Sequence, residues 1–289
     1  MRRGEGAVGI FDSGVGGLSV VRALLRAAPG VRVLYVADQA HVPYGGRPLS
    51  EVRAFAEAIS RFLVDEGCRS VVMACNISSA TALDTVRATL APLPVFGMIS
   101  GAAAACAASG SRCVAVLATE GTVRSGEYGR QIRARRPDCD VIEVPCPAFV
   151  PLVESGDTCG DAAEHAARQY LAPAARAGAT TVVLGCTHYP FLIDVLRRVA
   201  SDLFPRPPAF LDPADVVARD IAAALSEPPG AAPGAHLLLT TGCAAAFADQ
   251  VRRFLPGERG RVSQAAWANR AGRLAVQWEE CMETDAIFT

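Results

Sequence analysis

Thr181-Val182-Val183-Leu184-Gly185-Cys186-Thr187-His188-Tyr189-Pro190 reads as the end of a buried strand running into a tight turn. Val182, Val183 and Leu184 form the unbroken apolar run of a parallel strand covered on both faces. Gly185 permits the turn, and Phe191 to Val199 has the pattern of the following helix. Cys186, Thr187 and His188 therefore leave the carboxyl end of a strand, the edge at which open α/β sheets bind ligands. Ser70-Val71-Val72-Met73-Ala74-Cys75-Asn76-Ile77-Ser78 repeats the pattern. Each unit has a small polar residue, two valines, a long apolar residue, Ala or Gly, then Cys followed by Asn or Thr. Two cysteines are thus expected at equivalent strand ends, facing one substrate carbon.

Outward from these units the chain alternates strands and helices, the pattern of parallel sheets with helices on both faces. Ala7–Phe11 is a short strand ending in Asp12-Ser13-Gly14-Val15-Gly16-Gly17, with a helix over Leu18–Leu25. That turn could hold an anion on helix N-terminal amides, but it lacks the G-x-G-x-x-G spacing of a dinucleotide site. Val31–Ala37 is a strand closing on Asp38, followed by a loop with His41, Pro43-Tyr44-Gly45-Gly46 and Arg47. Cys113–Leu117 is a strand ending in Ala118-Thr119, an echo of Asp12-Ser13. Similar distances separate Ser13 from Cys75 and Thr119 from Cys186, which suggests a duplicated half. Cys146-Pro147 leads through Val150-Pro151-Leu152-Val153 to the carboxylate of Glu154. Trp267, Ala271, Leu274 and Trp278 fall on one face of an expected C-terminal helix.

Composition narrows the function classes. The 289 residues suggest two domains at roughly 150 residues each, and 51% are hydrophobic. A net charge of −1 leaves no electrostatic footprint for nucleic acid. No signal-peptide core or membrane-length apolar run occurs, so a cytoplasmic protein without membrane association is expected. The ten cysteines contain no C-x-x-C pair, which gives zinc ribbons and thioredoxin motifs no support. A metal held by Cys186 and His188 is a minor alternative, and no metal is expected. All 28 basic residues are arginine. Without lysine, a Schiff base to pyridoxal phosphate is impossible, and no cofactor is expected.

Two opposed thiols suit proton transfer at carbon. One removes a proton from one face of a stereocentre and the other delivers a proton to the opposite face. A thiolate forms near neutrality only when its pKa, ordinarily about 8.5, is lowered by a helix N-terminus or a cation. Asp12 beside Cys75 would raise that thiol's pKa or accept its proton. His188 could do the same work for Cys186. Ser13, Asn76, Thr187 and the turn amides are candidate donors to the developing charge.

Gly9-Ile10-Phe11-Asp12-Ser13-Gly14-Val15-Gly16-Gly17, Pro43-Tyr44-Gly45, Ala74-Cys75-Asn76, Cys146-Pro147 through Glu154, and Gly185 to Pro190 occur together and in order. With these motifs the chain resembles the glutamate racemases of the cofactor-independent aspartate/glutamate racemase superfamily. The resemblance implies two pseudo-symmetric parallel-sheet α/β domains with the active site at their interface. Residues 1–98 plus 210–264 would form the first domain, 99–209 the second and 265–289 a tail. It implies that Cys75 and Cys186 are the bases, tuned by Asp12, Glu154 and His188. Asp12, Ser13, Tyr44, Gly45, Asn76, Ile77, Thr119, Thr187 and His188 would line the substrate. Glutamate is the implied substrate, with D-glutamate supplied to peptidoglycan; the sequence does not fix the oligomer, and a homodimer stays open. Two positions depart from the family pattern: Ile77 replaces the usual threonine after Cys-Asn, and Ala118-Thr119 replaces Gly-Thr. Ile77 removes a hydroxyl worth on the order of 1.5–3 kcal/mol to a charged ligand. That keeps aspartate or another amino acid open as substrate, along with a member that binds ligand without turnover.

Overall fold

The computed structural model describes residues 4–225 and 235–268, with the short strand segments 273–275 and 286–287. Two parallel sheets form the frame. In the first, β1 (Val8–Asp12) lies between β2 (Val33–Ala37) and β3 (Ser70–Met73), and β3 pairs onward with β4 (Val95–Gly97). In the second, β5 (Cys113–Ala118) lies between β6 (Asp140–Pro145) and β7 (Thr181–Gly185), and β7 pairs with β8 (Ala209–Leu211). The strand order of the second sheet, β6-β5-β7-β8, therefore repeats the order β2-β1-β3-β4 of the first. The two cysteine strands hold equivalent places, each beside the first strand of its half.

The first sheet is extended beyond β2 by β9 (His236–Thr240) and β10 (Arg259–Gln264), both parallel. An edge strand, Ala286–Ile287, pairs antiparallel with β10. Because β8 pairs with β7, the second sheet runs on through Leu211, past the boundary expected at 209. The chain returns through Pro213–Ala224, a helix packed on Leu18–Ala27. The tail expected to be helical is extended where it is described. Ala266–Ala268 pairs antiparallel with Arg273–Ala275, with Trp267 opposite Leu274. Ala271 and Trp278, the other members of the expected helical face, lie outside the described residues.

Strand alternation sorts the core. Val8 and Ile10 join a cluster that continues into Ala115, Leu117, Val182 and Leu184 of the second sheet. Ala7 and Phe11 point the other way, toward Val36, Val71 and Met73, as a period of two requires. One core therefore runs across both halves and fixes the carboxyl edge of one sheet against that of the other. Among the described residues, no helix is long and apolar enough to cross a membrane.

Candidate active site

In each half the chain reverses direction between the first strand and the cysteine strand, and ligand crevices form at such switch points. Asp12 and Cys75 end the two strands at the first switch point, and Thr119 and Cys186 end those at the second. The two edges enclose one cavity of about 170 Å³, room for on the order of ten waters and so for a small amino acid. Cys75 and Cys186 both line it, with Ser13, Tyr44, Gly45, Asn76, Ile77, Thr119, Thr187 and His188. Pro43, Thr122, Cys146, Pro147, Val150 and Pro151 complete most of the remaining wall.

Local sequence explains each placement. Cys75 is extended at the N-cap of the helix Asn76–Leu90, so the helix starts at this thiol and directs its free amides there. Tyr44 and Gly45 open a short turn, and Tyr44 donates to Asp38 Oδ2 at 2.6 Å. Asp38 also accepts from Thr241 Oγ1 and Trp267 Nε1, both at 2.8 Å, and meets His41 Nδ1 at 2.8 Å. Thr119 caps the helix Glu120–Ser125 and exchanges a 3.0 Å hydrogen bond with the Thr122 hydroxyl. Ile77 is buried with Tyr44, Val52 and Cys75. It sits against Gly121, where a Cβ would collide with the isoleucine side chain.

Asp12 and Glu154 stand behind the cavity wall. Thr187 Oγ1 donates to Asp12 Oδ2 at 2.9 Å, and the Gly14 N–H donates to Asp12 Oδ1 at 3.0 Å. Glu154 Oε1 meets His188 Nε2 at 2.8 Å and accepts the Val15 N–H at 3.2 Å. Gln250 also donates to Glu154. The anion received by the Gly14–Gly17 turn is thus the protein's own Glu154 carboxylate. Tyr35, fully buried, holds the turn by donating to the Gly14 carbonyl at 2.6 Å. No motif in the sequence marks Tyr35, Asp38, Tyr128 or Gln250 as site residues. Only the fold brings them to the site.

The electrostatics of the two walls differ. His188 Nδ1 lies 3.7 Å from Cys186 Sγ. Burial disfavours the imidazolium, but hydrogen bonds and charge from Cys186 and Glu154 outweigh it and hold His188 well above the ordinary 6.5. Burial likewise opposes the Glu154 carboxylate. Its bonds to His188, Val15 and Gln250 nonetheless hold it below the usual range. On the other wall, burial pushes the Cys75 thiol up to about 12 and the Asp12 charge adds to the push, while Ser78 pulls the other way. Burial also raises Asp12, against the His188 charge and its hydrogen bonds. One wall offers a sulfur beside an imidazolium, and the other a protonated thiol near a carboxyl group. Among the described residues, no cluster of His, Cys, Asp and Glu could hold a metal ion.

Comparison with known proteins agrees with this geometry. The model of the Asp/Glu/Hydantoin racemase family matches residues 8–221. A glutamate racemase of Ralstonia nicotianae is 42% identical over 242 residues, which cover 82% of this chain and 86% of the relative. The structure of glutamate racemase from Thermus thermophilus, in complex with β-chloro-D-alanine, aligns with a TM-score of 0.78 and 39% identity. That alignment covers 91% of this chain and 97% of the other. Glutamate racemase from Francisella tularensis, in complex with D-glutamate, aligns with a TM-score of 0.82 and 27% identity over 90% and 97% of the two chains.

Proposed function

Because the chain belongs to the Asp/Glu/Hydantoin racemase family, we propose that it interconverts L- and D-glutamate with Cys75 and Cys186 as the two bases. The observation that carries this reading is that both sulfurs line one cavity, from opposite halves of a duplicated fold.

The substrate's α-carbon lies between the sulfurs. In one direction the Cys186 thiolate, paired with the His188 imidazolium, takes the α-proton. The C–H electron pair stays on carbon as a carbanion, and the Cys75 thiol delivers its proton to the other face. Cys75 ends as thiolate and Cys186 as thiol, which is the starting form for the reverse direction. Asp12, with its raised pKa, and Thr187 adjust charge beside Cys75. Glu154 orients His188 and keeps it protonated. Carbanion stabilisation comes from preorganised donors in a water-poor cavity, with the Asn76 amide and the first amides of its helix nearest. The chlorinated alanine and the D-glutamate named with the two relatives are amino acids of suitable size. D-Glutamate made this way would enter peptidoglycan.

Circular dichroism on D- and L-glutamate, with aspartate as the competing substrate, tests the assignment. Cys75→Ala and Cys186→Ala are each expected to lose racemisation by about 10³-fold or more, since each removes a proton-transfer group. One-sided exchange of the α-proton in deuterated water is expected to survive. Ordinary turnover in either single variant defeats the two-thiol reading. Turnover of aspartate in preference to glutamate would move the substrate assignment and leave the chemistry intact.

A further inference from the structure

Asn76 lines the cavity and is almost wholly buried, with 3% of its surface exposed. Its side-chain oxygen is already taken. Tyr128, from the helix Glu127–Arg135 of the second half, donates its hydroxyl to Asn76 Oδ1 at 2.7 Å. Asn76 Nδ2 is buried and has no partner. A buried amide that uses its acceptor and leaves its donors idle needs an explanation, because an unmet donor costs about 1–3 kcal/mol.

The pairing fixes which way the amide faces. Tyr128 is fully buried among Ile99, Cys106, Val116 and Ile132. Burial also holds its hydroxyl well above the ordinary tyrosine range, so it always has a proton to give. Turned over, Asn76 would present N–H groups to that hydroxyl and leave the tyrosine proton without an acceptor. We propose that Tyr128 is a positioning residue: by occupying Asn76 Oδ1 from the opposite half of the molecule, it keeps Asn76 Nδ2 free as the donor for a substrate carboxylate. This rests on the amino-acid racemase reading above. It adds that the halves must be closed on each other for this donor to be aimed, since Tyr128 and Asn76 belong to different halves.

The test begins with wild-type enzyme in deuterated water, exposed separately to glutamate and aspartate. Whichever loses its α-proton is the substrate for the variants, so failure of the glutamate assignment is seen apart from failure of this proposal. Tyr128→Phe keeps the ring and removes only the hydroxyl. It is expected to raise KM about tenfold with kcat changed less than about threefold, as a lost hydrogen bond to a charged ligand requires. In an Asn76→Ala background, Tyr128→Phe is expected to change KM by less than about twofold, because its target is gone. A wild-type KM in Tyr128→Phe overturns the proposal. So does an equal rise in both backgrounds, which would mark a merely structural tyrosine. Should Tyr128→Phe fail to fold, the wild-type crystal structure with substrate decides. Nδ2 on a substrate carboxylate, with Tyr128 still on Oδ1, supports the proposal. Oδ1 released from Tyr128 overturns it. Exchange of neither amino acid by the wild type overturns both readings.

Discussion

Ile77 puts hydrocarbon where the racemase resemblance leads one to expect a hydroxyl, and the structure gives that hydrocarbon a use. With 2% of its surface exposed, it packs between Tyr44, Val52 and the Gly121 backbone. Burying such a side chain is worth about 1.5–3 kcal/mol. Ile77→Thr is therefore expected to trade stability for affinity. Calorimetry should show the unfolding midpoint lowered by a few degrees, on the order of 2–4 °C per kcal/mol for a chain of this size. Steady-state kinetics should show KM for glutamate lowered about tenfold if the new hydroxyl reaches a substrate carboxylate. An unchanged KM would mean that Ile77 faces away from the ligand. The cysteines, His188, Asn76 and Thr187 were legible in the sequence because they follow strand–turn signatures within a few residues. Tyr128 and Gln250 were not, since each reaches the site from a distant helix and no local pattern marks its target.

At the level of elements, the turn joining the first strand to the first helix carries more than its length suggests. A Cβ on Gly16 would lie 2.5 Å from Thr187 Oγ1 and against the His188 ring, distances that ordinary Cβ atoms do not adopt. The glycine is needed for close approach between the halves, and nothing in its backbone conformation demands it. Gly16→Ala is expected to push His188 away from Glu154 or Cys186 and to lower kcat by about 10²-fold, as small misplacements of catalytic groups do. The circular dichroism of the fold should stay near wild type. Turnover close to wild type would show that the second half can yield at this contact at no catalytic cost. Read from sequence alone, this glycine run suggested an anion site. The anion is not legible there, because only the fold brings Glu154, from the far half, onto the Val15 amide. The strands themselves were legible from their apolar runs. The C-terminal tail was not: Trp267 and Leu274 sit at a spacing that a helix face and an antiparallel pair both satisfy, and pairing is a non-local property.

Across the whole molecule, buried thiols set a limit at alkaline pH. Cys68, Cys75 and Cys106 are all raised from the ordinary 9.0 to about 12, burial being the main cause. Above pH 9 the unfolded chain gives up protons that the folded chain keeps, so stability falls as pH rises from 9 toward 12 and is unaffected below 9. For Cys75 alone the loss reaches about 4 kcal/mol when both states are ionised. Urea unfolding at pH 8 and pH 10.5 should show this fall, and Cys75→Ala should flatten part of it. A pH-independent midpoint would mean that the thiols reach solvent. The repeated strand order has a different kind of consequence. A reaction that exchanges mirror images has an equilibrium constant of one, so the Haldane relation obliges kcat/KM to be the same for either hand. The halves repeat a strand order but not a charge distribution: His188 stands beside one sulfur and Asp12 near the other. The two enantiomers are then free to saturate the enzyme at unequal concentrations and to turn over at unequal maximal speeds, while the quotient stays common to both.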